Sequence, residues 1–318
     1  MFNQSGKSKL IGDAFEGAFA DKVRQELKRR EINVIRDKDQ FEALCLKQQK
    51  LQSLEPGIRN KMERAAVNAA EFAINQHQSF FKARGDFELR LNDDASDIFD
   101  VRDCTIVNPK GQELGFSLKW RNDEIKSPRL QSHWMHKFSL PDDGTYERMT
   151  QPIVDQLAGF ETWKQAKEEL GDAAVHVPFR DGLMHGLNEI MNDREASSKF
   201  CLFLFGSVRH IKVTVQQSMR KVHLADYDPA NLPDQIKYVD ADLHSNKWVW
   251  LGFNKGWQLK FRLHSRETRI KPNVRSGMGL GVTVHGWGHK SPVEVITIPN
   301  ENPASSLPTN SSSVSSIS

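Results

Sequence analysis

The chain has 318 residues, 38% of them hydrophobic and 27% charged, an ordinary globular balance with room for one large domain or two smaller ones. Its net charge of +3 is too small to argue for nucleic acid, so any such case must come from local clusters. Three dispersed cysteines without CxxC spacing (Cys45, Cys104, Cys201) exclude a zinc ribbon or disulfide framework and fit a reducing compartment. The N-terminus lacks an apolar leader core, and no apolar run approaches the roughly 20 residues of a bilayer span. A soluble, cytoplasmic protein is expected.

Residues 1–80 read mainly as helix. Phe15, Phe19, Val23 and Leu27 recur every fourth position and form one apolar stripe. A second long helix is predicted from Arg59 to Lys82. At Asp86 the period changes, and Phe87-Glu88-Leu89-Arg90-Leu91 alternates as a half-buried strand does. After a polar turn at Asn92-Asp93-Asp94, two strands are predicted at Asp100–Val107 and Glu113–Trp120. Helices are expected over 151–170 and 178–194. The run Phe200–Val215 reads as a buried strand, a bend at Gly206 and a second strand. Trp248–Leu263 reads as a hairpin around Asn254-Lys255-Gly256, and Gly281–Val284 as a further strand. From about Pro299 the chain turns to Ser, Pro and Asn, a composition with too little apolar surface to order itself.

The expected fold is α/β, a mixed central sheet flanked by helices with a β-rich segment added. The divisions are 1–195 for a core with the N-terminal helices and the hairpin, 196–295 for the β-rich segment, and 296–318 for a disordered Ser-rich tail.

The chemistry concentrates on the hairpin from Asp103 to Lys119. Phosphodiester hydrolysis needs a metal to activate water, carboxylates to hold it, and a cation near the attacking water. The PD-(D/E)xK nuclease core supplies these from two adjacent strands: an Asp on one, and an acid followed two residues later by Lys on the next. The i, i+2 spacing puts that last pair on one face. Here the candidates are Asp103, Ser117 and Lys119, with Ser in place of the acid. If Pro109-Lys110-Gly111 is a three-residue loop, Asn108 pairs with Gln112 and Asp103 with Ser117. A two-residue loop would instead turn Asp100 and Arg102 toward Lys119. The glycine at the left-handed bulge position favours the first register. The motif alone is weak, since an Asp followed by SxK also fits an ordinary salt-bridged hairpin.

Context adds to it. Val101-Arg102-Asp103, then Gly115-Phe116-Ser117-Leu118-Lys119, then Lys126-Ser127-Pro128-Arg129-Leu130 resembles the HaeIII-like type II restriction endonucleases. So does Gly256–Ser265, as does a Gly-Lys near the start followed by a helix bearing Glu (Lys7 and Glu16). Close matching is confined to these short blocks, and Trp120-Arg121 departs from the family's more polar stretch. The resemblance implies a type II site-specific deoxyribonuclease. It would cut double-stranded DNA within a short palindrome, GGCC in the best-known members, with Mg²⁺ as cofactor. It implies Asp103 and Glu16 as metal ligands and Ser117 and Lys119 as catalytic partners, with Glu113 and Glu124 as weaker substitutes for Glu16. A cognate methyltransferase gene and a two-fold dimer would accompany a palindromic target.

Two basic clusters could meet DNA. Lys119–Lys137 carries five Lys or Arg against two acids, and Lys255–Arg275 carries seven against one. Lys126 and Arg129 are the expected phosphate contacts. Arg262, His264 and Arg266 form a second group that includes candidate base readers. A structure-selective repair nuclease and an inactive DNA-binding protein are the rival readings. Gly6-Lys7-Ser8 lacks the strand and earlier glycine of a P-loop, and His133 and His136 lack a third metal ligand.

Overall fold

The computed structural model describes residues 4–35, 38–92, 99–120, 124–125, 134–141, 144–216, 218–265, 270, 282–290 and 293–300. The first half runs α1 (Gln4–Arg29), β1 (Val34–Ile35), α2 (Lys38–Gln52), α3 (Pro56–Gln76), α4 (Gln78–Phe81), β2 (Phe87–Leu91), β3 (Cys104–Val107), β4 (Glu113–Trp120) and β5 (Glu124–Ile125). A 3-10 turn, Trp134–Phe138, leads to α5 (Thr145–Leu157), α6 (Trp163–Leu170), α7 (Asp172–Asn192) and α8 (Arg194–Phe205). Then come β6 (His210–Val215), β7 (Lys221–Tyr227), β8 (Ile236–Ala241), β9 (Trp248–Phe253), β10 (Gln258–Ser265), β11 (Val282–Lys290) and β12 (Val295–Pro299).

The strands form two sheets. The first is mixed, in the order β1-β2-β3-β4-β6-β7-β12, with β1 parallel to β2 and β4 parallel to β6. The second is antiparallel, in the order β5-β11-β10-β9-β8. The α/β architecture is therefore the one the sequence predicts.

Each sheet faces its own core. Helices α1, α2 and α3 bury Phe15, Phe19, Val23, Leu27 and an alanine-rich face of α3 against Leu114, Phe116, Leu118 and Trp120 of β4. Phe19 meets Phe116 at 4.9 Å between ring centroids, and Phe15 meets Trp120 at 5.4 Å. Burying each such ring stabilises the fold by roughly 1.5–3 kcal/mol. The alternating residues of β4, Gly115, Ser117 and Lys119, are thereby turned to the opposite face. The second core packs α5 to α8 on Val249, Leu251, Leu259, Phe261 and Leu263.

Several predicted elements need correction. Phe200–Phe205 is the end of helix α8, not a strand, and only the stretch after Gly206 extends. A short apolar run has no readable period when nearly every side is buried, as here by Phe138, Phe261 and Trp257, with Leu202 alone of the run exposed. The helix signal lay outside the run, in Asp193, whose carboxylate accepts from the Ala196 N–H at 2.8 Å. The helix predicted over 151–170 is two helices, α5 and α6. Val295–Pro299, at the edge of the predicted tail, is a strand paired with β7. The strands β6, β7 and β12, from beyond residue 195, complete the first sheet. Residues 301–318 and the expected turn at 93–94 lie outside the described residues.

Candidate active site

The β3–β4 hairpin takes the three-residue loop. The Asn108 N–H donates to the Gln112 carbonyl at 2.9 Å, Gly111 holds φ at 76°, and Val107 pairs with Glu113. The ladder continues to Cys104 opposite Phe116, and one further residue sets Asp103 across from Ser117. There β3 begins. The Asp103 N–H donates to the Phe116 carbonyl at 2.7 Å, and one carboxylate oxygen accepts from the Leu118 N–H at 2.5 Å. The same Oδ2 lies 3.4 Å from Nζ of Lys119. The acid is thus fixed at a strand end, with a lysine beside it.

The alternative pair from the two-residue loop is otherwise engaged. Nη2 of Arg102 meets Asp100 at 2.8 Å, its Nε reaches both oxygens of the same carboxylate, and Nη1 bonds Glu113. The stem of Arg102 lies over Gly115, where an added Cβ would come within 2.1 Å of Cδ of the arginine. Arg102 and Gly115 therefore interlock, which gives a steric reason for Val-Arg-Asp just before β3 and Gly-x-Ser-x-Lys on β4.

Glu16 comes from α1. Asp13 and Glu16, three apart, face Lys47 and Lys50, three apart on α2. Nζ of Lys47 bonds Glu16 and lies 4.0 Å from Asp13, and Lys50 meets Asp13 at 2.5 Å. The two helices cross closely at Gly17, where a Cβ would lie 2.7 Å from that of Lys47. Burial raises the pKa of Glu16, and the nearby charge of Asp103 raises it further, while Lys47 pulls it down. The line Lys50–Asp13–Lys47–Glu16 alternates in sign, and so does Asp103–Lys119. The negative charge of Asp103 is felt at Glu16, so the two lines adjoin.

Asp103 and Lys119 are therefore paired, Glu16 lies within reach of the charge of Asp103, and Ser117 is buried on β4 at 4% exposure. Glu113 is tied to Arg102 and Arg90 instead, and the backbone of Glu124 lies in the second sheet. Among the described residues, no group of three or more His, Cys, Asp or Glu converges on one point. Two residues escaped the sequence reading. Lys47 enters only through the helix crossing, its signal being the matched spacing of two acids and two lysines. Lys212 stands opposite Ser117 on the parallel strand β6, a pairing no local pattern announces.

Arg262 lies on β10 in the second sheet, not on the hairpin. Its guanidinium carbon is 5.4 Å from the Trp248 ring centre, and its buried Nε has no hydrogen-bond partner among the described residues. Lys260 beside it lies 4.3 Å from both the Trp248 and Trp250 rings and 2.8 Å from Asp242. His264 is on the same strand, opposite Thr283. Lys126, Arg129 and Arg266 lie outside the described residues.

The profile of the family described as HaeIII restriction endonuclease matches residues 12–228. That span holds Glu16, Lys47 and the whole hairpin, and it ends before β8. The type II restriction enzyme HaeIII of Haemophilus aegyptius is 22% identical over 304 residues, covering 85% of this chain and 93% of that protein. No solved structure matches.

Proposed function

The chain belongs to the HaeIII restriction endonuclease family, a type II site-specific deoxyribonuclease, and on that premise we propose how its own residues cut DNA. The observation that carries the reading is the Asp103–Lys119 pair at the start of β3, with Glu16 within reach of the charge of Asp103. Family membership favours the restriction enzyme over the repair nuclease and the inactive binder.

The donor set fits Mg²⁺. This ion keeps several waters and takes one or two carboxylates plus substrate phosphate, so it needs no full protein cage. Asp103 and Glu16 are two such carboxylates, each already beside a lysine, Lys119 and Lys47. When bound there, Mg²⁺ would polarise the phosphoryl oxygen and make a nearby water more acidic. The protein's share is positional. The Leu118 N–H holds one oxygen of Asp103, leaving the other for a ligand. Lys119 orients the attacking water and steadies charge developing on the phosphate. Ser117 offers a hydroxyl in place of the usual acid and hydrogen-bonds within the site. In-line attack by water leaves 5′-phosphate ends.

The target is a short palindrome in double-stranded DNA, GGCC on the family resemblance. Lys126 and Arg129 follow the catalytic strand in sequence and contact phosphates. Arg262 and His264 grip DNA from the second sheet, with Arg266 following them in sequence. Self-protection calls for a cognate methyltransferase, the palindrome favours a homodimer, and the host chromosome places the enzyme in the cytoplasm. Among the described residues, no helix is long and apolar enough to cross a membrane.

A plasmid digest tests the whole reading. Discrete bands with Mg²⁺ are expected, with none in EDTA and none with Lys119→Ala. Smearing, or bands that survive that substitution, would overturn it.

A further inference from the structure

Lys47 has no role in the chemistry just described, yet it stands inside the site. Its side chain is only 12% exposed, it bonds Glu16, and it lies 4.0 Å from Asp13. The charge of Asp103 also reaches it. A surface lysine could swing away from its partner; this one is held where α1 and α2 touch, because Gly17 lets the two backbones close on the base of its side chain. The ammonium is therefore a fixed positive charge on the carboxylate assigned above to the metal.

We propose that Lys47 is a positioning residue that acts as a built-in competitor of the divalent cation. It neutralises Glu16 when no metal is present and weakens metal binding in the absence of DNA. This rests on the assignment of Asp103 and Glu16 as the metal-holding pair. The physical argument is Coulombic: a fixed positive charge a few ångströms from a divalent ion opposes that ion, and the opposition is strongest where water is excluded. Lys119 opposes it less, because its side chain is 35% exposed and better screened. Lys50 is farther along the line and pairs with Asp13. An incoming phosphate would supply the negative charge that Lys47 withholds, so metal occupancy and DNA binding should rise together.

The test is calorimetric titration of the DNA-free, full-length protein with Mn²⁺. Lys47→Met is expected to bind Mn²⁺ about tenfold more tightly than the parent, given a unit charge removed at this range. Lys47→Arg keeps the charge and should bind like the parent. Adding Glu16→Gln to Lys47→Met should erase the gain. Should Lys47→Met melt early, Lys47→Gln gives the same comparison with a polar side chain. Equal or weaker Mn²⁺ binding by a folded, charge-removing variant would overturn the role of Lys47. If Asp103→Asn leaves Mn²⁺ binding unchanged in every background, the metal assignment itself falls, and Lys47 with it.

Discussion

Of the charged side chains near the hairpin, Arg102 does the least chemistry and the most bracing. It links Asp100 and Glu113 one residue from Asp103, the proposed metal ligand, and it does so through space that only glycine leaves at position 115. Gly115→Val should push the arginine off, at a cost of about 1–3 kcal/mol from overpacking, with cleavage falling alongside. Pairing it with Arg102→Ala should recover part of the stability, because the clash then has no second party. Denaturant midpoints of the two single variants and the double variant measure this coupling. At this scale the sequence was legible wherever a turn or a strand period fixed a position. Asp103 and Lys119 could be paired because Pro109-Lys110-Gly111 sets the register. Lys47 and Lys212 could not, since their neighbours are supplied by a helix crossing and a parallel strand.

Elements were legible where one side stays exposed. The stripe of α1 and the alternation of β2 both record a buried face and an open one. Helix α8 records neither, since its run Phe200–Phe205 is buried on nearly every side. Its identity sits at its ends, in the Asp193 cap and the turn at Gly206. Asp193→Ala should therefore cost about 1 kcal/mol, the usual worth of an N-cap. A strand there would feel almost nothing. Thermal melting of that variant separates the two cases. Helices α1 and α2 teach a complementary lesson. Each is readable alone, but the acid–lysine line between them exists only once they are packed.

On the scale of the whole molecule, two cores back two sheets, and the second core contains a pH-sensitive group far from the hairpin. His176 on α7 is 1% exposed, and burial pushes its pKa from 6.5 to about 4; its Nδ1 lies 3.0 Å from the Asp172 carbonyl, and Lys247 adds to the lowering. Above 6.5 the ring is neutral in both folded and unfolded chains, and its contribution is fully present. Between 6.5 and about 4 the unfolded chain takes up a proton that the fold refuses. Stability is lost as pH falls through that window, by at most about 3 kcal/mol from this group. His176→Gln should flatten that part of the acid limb, as urea midpoints across the window would reveal. An unchanged slope would mean the ring protonates freely in the fold. The α/β class and the register of the Asp103–Lys119 hairpin were readable from periodicity and turn chemistry. The assignment of β6, β7 and β12 to the first sheet was not, because sheet order is a long-range fact that no local window contains.

The chain passes from one sheet to the other directly after Lys119. Strand β4 ends at Trp120, and four residues on, Glu124 begins the edge strand of the second sheet, with β11 beside it. The lysine proposed to act at the scissile phosphate is thus separated by only four residues in sequence from the strand that opens the sheet proposed to grip the duplex. On that reading, a pull on the sheet, as when DNA is seated or bent, reaches the proposed cutting strand across only three residues. Proposed grip and proposed blade would then act, in mechanical terms, as two ends of one short lever.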